Sequence, residues 1–210
     1  MSLVIAVIML KGGVAKTTVS VGLAEQATLG ASTILIDCDP QGSSGRWGEL
    51  AAGAGQPLRS TVVPMAAADL PQRINAITRG YAAVIIDGPP PGPGAVAIAA
   101  GAVSVADIVV VPTPAEYATL DRVPVTAKLA AEHGKPVLAT LTMVRGGLAE
   151  NAAARQALAG WGVRTAAAEL PLRAEVQRCY GQPVTGTLAR YSLDLLAEIL
   201  DITQEVTTDA

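Results

Sequence analysis

Eight consecutive residues, Lys11-Gly12-Gly13-Val14-Ala15-Lys16-Thr17-Thr18, bring two lysines, two glycines and two hydroxyls together directly after a short apolar run. Glycines let backbone N–H groups turn toward one centre, and a helix opening at the end of the loop adds partial positive charge there. A phosphate group is the ligand that such a loop suits. Lys16 would then neutralise the β- and γ-phosphates of a nucleotide, and the Thr17 hydroxyl would ligate Mg²⁺. A plain glycine turn would explain the glycines but not Lys16 and Thr17 at its end. Carboxylates form a second set: Asp37 and Asp39 within Ile36–Gly42, and Asp87 just before Gly88-Pro89-Pro90. Each could merely cap a turn, as aspartate often does. Placed together at strand ends beside a phosphate loop, they suit Mg²⁺ held largely through water.

These residues need a scaffold, and the apolar pattern supplies one. Short runs rich in β-branched residues recur at 3–9, 33–37, 61–63, 82–87, 108–111 and 137–142, each bounded by Gly, Pro or Asp. They predict buried parallel strands. Helix-compatible segments lie between them at 17–29, 70–78, 95–106, 118–132 and 149–161. Pro124 marks either a kink in the fourth of these or its true first turn. Alternation of strand and helix specifies an α/β fold, a doubly wound, mainly parallel sheet flanked by helices. The last third reads less regularly, with a strand at 163–170, a loop through Pro171 and Pro183, and a final helix at 193–204. The cluster Gly88–Gly94 follows a strand directly and reads as an active-site loop.

Composition narrows the function classes. The 210 residues, half of them apolar, fit a single domain spanning 1–210. A net charge of -3 gives no global basic field, so any nucleic-acid contact must come from a local patch. Cys38 and Cys179 have no metal or disulfide spacing, which fits a reducing cytoplasm. Cys38 reads as a buried spacer, and His133, the sole histidine, as part of a helix end. No apolar run is long enough to span a membrane. Phe is absent and aromatics are 3%, so stacking platforms for single strands are not expected.

The loop Lys11–Thr18 resembles the deviant Walker A motif of the ParA/MinD family of ATPases. The resemblance makes Lys11 the signature lysine, which reaches across a sandwich dimer to the partner's nucleotide, and Lys16 the lysine acting in its own subunit. One departure stands out: Ala15 occupies the position, just before the P-loop lysine, that the family usually fills with glycine. The string Asp37–Gly42 is similar to the family's switch segment, and Asp87–Pro90 to its Walker B strand end. By that resemblance Asp37 and Asp87 organise the metal with Thr17, and Asp39 orients the attacking water. The segment Ala106–Ala118 also looks like the family's strand and loop after Walker B. Weaker likenesses of 140–143 and 169–173 to the family's adenine-side loops place adenine contacts near Met143, Pro171 and Leu172, where packing of an apolar loop would explain the same residues, and 181–184 resembles the family's Gly-Lys-Pro near the C-terminus.

The resemblance implies ATP and Mg²⁺ as cofactors, Mg²⁺-dependent ATP hydrolysis and an ATP-bound homodimer. It is closest to the small ParA type used in plasmid or chromosome partition or cargo positioning, since the loop begins by residue 11 and leaves no room for an N-terminal helix-turn-helix. Its expected partners are a ParB-like or other small adaptor and nonspecific double-stranded DNA, on the nucleoid. MinD-like membrane positioning is the second reading, disfavoured because Asp194, Glu198, Asp201, Glu205 and Asp209 follow Arg190 with no Lys or Arg. A third is small-molecule or redox chemistry, as in dethiobiotin synthetase or nitrogenase iron protein; the cysteines are not placed for an iron–sulfur cluster. Between Arg122 and Arg190 nine basic residues face four acidic ones. Arg173 and Arg178, following the adenine segment, are the first candidates for phosphate contacts with DNA.

Overall fold

The computed structural model describes residues 2–65, 70–146 and 149–208, the last three by backbone alone. Asp209, one of the acidic residues noted above, lies outside them. Eight strands form one sheet: β1 (Leu3–Val7), β2 (Thr33–Asp37), β3 (Thr61–Pro64), β4 (Ala83–Asp87), β5 (Ile108–Pro114), β6 (Val137–Val144), β7 (Arg164–Thr165) and β8 (Leu170–Pro171). Their order is β3-β2-β4-β1-β5-β6-β7, with β8 also on β6, and every pairing is parallel. The helices are α1 (Lys16–Ala27), α2 (Ser43–Gly53), α3 (Leu70–Thr78), α4 (Ala95–Val105), α5 (Tyr117–Leu120), α6 (Val123–Glu132), α7 (Ala149–Gly160), α8 (Ala174–Arg178) and α9 (Gly186–Thr208).

Strand side chains alternate between two cores. Val4, Ala6, Ile34, Ile36, Val84 and Ile86 belong to one, with α3, α4, α6 and α7. Ile5, Val7, Leu35, Ile85, Ile108 and Val110 belong to the other, with α1, α2, α8 and α9. Two-sided burial explains why the strands read as continuous apolar runs rather than as alternating ones. In β5 the chain stays extended through Pro112 and Pro114, past the expected end at Val111. The N–H of Ile8 reaches the Val110 carbonyl, whereas the N–H of Val109 reaches Pro136 on the β6 side. Residues 110, 112 and 114 therefore face β1, whose pairing with β5 stops at Val7–Val110. The missing N–H groups of both prolines fall where no ladder partner exists.

Four expectations are corrected. Thr61–Pro64 is a half-exposed edge strand rather than a buried one. The helix expected over 118–132 is two helices, with Pro124 in the first turn of α6, where a missing N–H costs nothing. The strand expected over 163–170 is reduced to β7 and β8. The last helix begins at Gly186, seven residues before its expected start, because its cap is distant in sequence: the Glu175 carboxylate accepts from Thr187 N at 2.9 Å and Thr187 Oγ1 at 3.0 Å. Those bonds hold the Glu175 carboxyl below its usual range. A Cβ on Gly186 would strike that same carboxylate.

Candidate functional site

β1 is the topological switch point, flanked by β4 and β5, and the loop Lys11–Thr18 leaves its carboxyl end. Gly12 and Gly13 are exposed, with open space where a Cβ would stand, and Gly13 has φ +72°. Val14 is buried, and its carbonyl accepts from Thr142 Oγ1 at 3.2 Å, which ties the loop to β6. Ala15, the N-cap of α1, is left-handed at φ 67°, ψ 26°. The position needs the conformation that glycine supplies freely, so alanine carries a backbone cost here.

The two lysines take different paths. Lys16 is buried, its Nζ donating to the Lys11 carbonyl at 3.0 Å. Burial lowers its pKa, opposed by the nearby Asp87 and Asp39 carboxylates. Lys11 is half-buried and donates to the Ala118 carbonyl in α5 at 2.6 Å. That is a contact within its own chain.

Asp37 and Asp87 are register partners at the ends of β2 and β4, both fully buried. Asp37 accepts from the N–H groups of Asp39 (3.1 Å) and Gly45 (2.9 Å). Burial still raises its pKa. Asp87 accepts from Ser20 Oγ at 3.0 Å and Ser44 Oγ at 2.7 Å. Burial pushes its carboxyl up to about 6, a rise restrained by the Ser44, Thr17 and Ser20 hydroxyls and increased by Asp37. Asp39 lies half-exposed in the turn after β2, where its carboxylate accepts from Gln41 N at 2.8 Å. No cluster of three or more His, Cys, Asp or Glu side chains able to hold a metal occurs among the described residues. Two carboxylates and the Thr17 hydroxyl beside an open phosphate cradle nevertheless match Mg²⁺, which keeps waters and takes further oxygens from phosphate. Cys38 is buried with its thiol pushed up to about 12 by desolvation, so it packs rather than reacts. His133 is the C-cap of α6.

Sequence reasoning missed α2, which joins these groups. Its first turn brings Ser44 to Asp87 and Gly45 N to Asp37. One turn on, Trp47 is buried, donating Nε1–H to the Gln182 carbonyl at 2.8 Å and standing 5.3 Å from the Tyr180 ring. Gly45, Gly48 and Gly53 conceal the helix from propensity, and its N-cap, Gly42, offers no side chain. The pair Ser43-Ser44 after Gly42 was the available signal.

The expected base contacts do converge. Met143, Pro171 and Leu172 line a cleft of about 110 Å³ together with Ala15, Thr18 and Trp47. Met143 has φ 55°, a strained conformation that such sites collect. Arg173, the N-cap of α8, lines the same cleft, while Arg178 is exposed in its last turn. The basic stretch is not one surface. Arg155 pairs with Glu169 at 2.7 Å and Arg164 with Glu205 at 2.9 Å, and Lys135 and Arg164 adjoin the amino ends of β6 and β7, away from the loop.

The sequence matches the CobQ/CobB/MinD/ParA nucleotide binding domain family over residues 5–184. The chain belongs to that family. This CobQ/CobB/MinD/ParA member is 39% identical over 112 residues to the maintenance of carboxysome distribution protein A of Gloeobacter kilaueensis, covering 53% of the chain and 49% of that protein. It is 34% identical over 165 residues to the chromosome-partitioning ATPase Soj of Thermus thermophilus, covering 66% of the chain and 61% of Soj. The matches thus take in half to three-fifths of those relatives. The septum site-determining protein MinD of Pyrococcus horikoshii, solved with Mg-ADP, superposes with a TM-score of 0.76 at 17% identity, covering 95% of this chain and 96% of that one. That likeness confirms the doubly wound fold. No helix among the described residues is long and apolar enough to cross a membrane.

Proposed function

We propose that this chain is a Mg²⁺-dependent ATPase that dimerises on ATP, binds double-stranded DNA without sequence preference in that state, and is stimulated by a ParB-like or similar small adaptor in partition or cargo positioning. The observation that carries the reading is the convergence of Lys16, Thr17, Asp37 and Asp87 around one open glycine cradle. Lys16 and the loop N–H groups would hold the phosphates. Thr17 would ligate the metal directly, with Asp37 and Asp87 ordering its waters, and Mg²⁺ would supply neutralisation of the charge that develops on the γ-phosphate. Asp39, half-exposed on the turn after β2, would orient water. Met143, Pro171 and Leu172 would receive the adenine. Lys11 would leave the Ala118 carbonyl to reach the partner's nucleotide. The described residues, sharing one sheet and its two cores, support a single domain, and carboxysome distribution protein A and Soj as relatives favour a cytoplasmic, nucleoid-associated role.

DNA contact is assigned first to Arg173 and Arg178. Arg173 also lines the base cleft, so its reversal would act on ATP as well, and Arg178 gives the cleaner test. In a gel shift with random duplex, Arg178→Glu should weaken ATP-dependent binding while leaving ATP affinity nearly unchanged, and added salt should weaken the wild type steeply. Equal shifts with ADP, with ATP and in the variant would reject the DNA assignment.

A further inference from the structure

We propose that a groove at the amino-terminal edge of the sheet is a docking site for an acidic peptide segment of a partner protein, one that carries an apolar anchor side chain. The groove has a volume of about 620 Å³ and lies between α6, the entries to β6 and β7, and α9. Because the sheet is parallel, Val137 and Arg164, the first residues of β6 and β7, stand at the opposite end from the phosphate loop. The docking site is therefore separate from the nucleotide reading above. Its floor is apolar, built from Pro124, Ala127, Val137, Val163 and Ile202. Trp161 adds an indole that is 40% exposed.

Three cations line the same groove: Lys128, Lys135 and Arg164. Arg164 is committed to Glu205, the one carboxylate among the lining residues. Lys128 and Lys135 have no ion pair among the described residues. The chain as a whole is acidic, at -3, so this local excess of positive charge would steer an acidic segment toward it. Trp and Arg are also the residue types that most often dominate binding energy in protein interfaces.

Charge and shape favour a peptide over a nucleic acid. Duplex binders commonly neutralise on the order of 6–10 phosphates. Two free ammonium groups and an adjacent carboxylate fall well short of that. The concave apolar floor offers a phosphate backbone nothing, whereas it can take an aliphatic or aromatic side chain while the lysines hold flanking carboxylates.

The test is selection of random phage-displayed peptides on the full chain, with counter-selection on the Lys128→Glu/Lys135→Glu variant. Enriched peptides would then be synthesised and titrated by fluorescence anisotropy across a salt series. Acidic peptides with a single apolar anchor are expected. Their affinity should fall about tenfold or more, the equivalent of about 1.4 kcal/mol, in the double variant and in Trp161→Ala. Lys16→Ala, which disables the nucleotide site, should bind them as the wild type does. Thermal melting checks folding, and the milder Lys128→Gln/Lys135→Gln pair must show the same direction of effect. Enrichment of neutral or basic peptides, or equal binding by the variants, would overturn the proposal. Competition by random duplex DNA, with the same loss in the lysine variants, would overturn it in favour of a nucleic-acid site.

Discussion

Replacing Ala15 by glycine should make the protein more stable, although glycine at a helix start ordinarily does little. Ala15 holds φ 67° as the N-cap of α1, with its carbonyl accepting from Val19 N at 3.0 Å. A left-handed non-glycine residue costs roughly 1–2 kcal/mol, which the glycine variant recovers. Against this stands the added freedom of glycine in the unfolded chain, roughly 0.4–1 kcal/mol. A half-buried methyl is also lost, for about 0.5 kcal/mol. The net is a gain of about 0.3 kcal/mol, or roughly 1 °C in Tm for a chain of this size. Gly13 provides the opposite control: its φ is +72° and a Cβ there meets nothing within 4 Å. Gly13→Ala therefore isolates the backbone cost and should lower Tm by roughly 1–4 °C. Differential scanning calorimetry of both variants decides the matter. A fall in Tm for Ala15→Gly, or a rise for Gly13→Ala, would refute the argument from backbone conformation.

The buried carboxylates give a pH-dependent signature. Asp87 in the folded chain is raised to about 6 from an ordinary 3.8, so its protonated form is favoured by folding. Its stabilising contribution is complete below the ordinary value and is lost as pH rises through about 6, by up to about 3 kcal/mol. Asp87→Asn should remove most of that slope in urea melts between about pH 4 and pH 7, and an unchanged slope would assign it elsewhere. Ser44→Ala deletes the 2.7 Å hydroxyl donor to Asp87 and should cost about 1–3 kcal/mol near neutrality and less in acid; a pH-independent cost would separate Ser44 from the carboxylate. Asp39→Ala should bind ATP and accumulate as a dimer while losing adaptor- and DNA-stimulated phosphate release, whereas unchanged stimulated turnover would reject its role in placing water.

The phosphate loop and the strand-end aspartates were legible because each depends on local sequence: a glycine-rich turn after an apolar run, or an acid at the end of one. The same holds for the central strands, whose two-sided burial leaves uninterrupted Val, Ile and Leu. What escaped depends on contacts distant in sequence. Helix α2 is held by Ser44 on Asp87 and by Trp47 on Gln182, neither of which is visible within its own glycine-rich window. The start of α9 rests on Glu175, and the extension of β5 rests on β1 ending first. The basic run from Arg122 to Arg190 looked continuous in one dimension. The fold divides it between the cleft lined by Met143, Pro171 and Leu172, the amino-terminal groove and internal ion pairs.

In the proposed mechanism one lysine acts within its own subunit and the other across a dimer. Titration of ATP with Mg²⁺ by calorimetry, with light scattering on the same samples, tests it most directly. Lys16→Ala should lose ATP binding altogether, since Lys16 is the buried cation of the cradle. Lys11→Ala should retain binding and remain monomeric with ATP, because the Lys11 ammonium rests on the Ala118 carbonyl rather than in the cradle of its own chain. Full ATP-dependent dimerisation by Lys11→Ala, or wild-type ATP affinity in Lys16→Ala, would contradict the account.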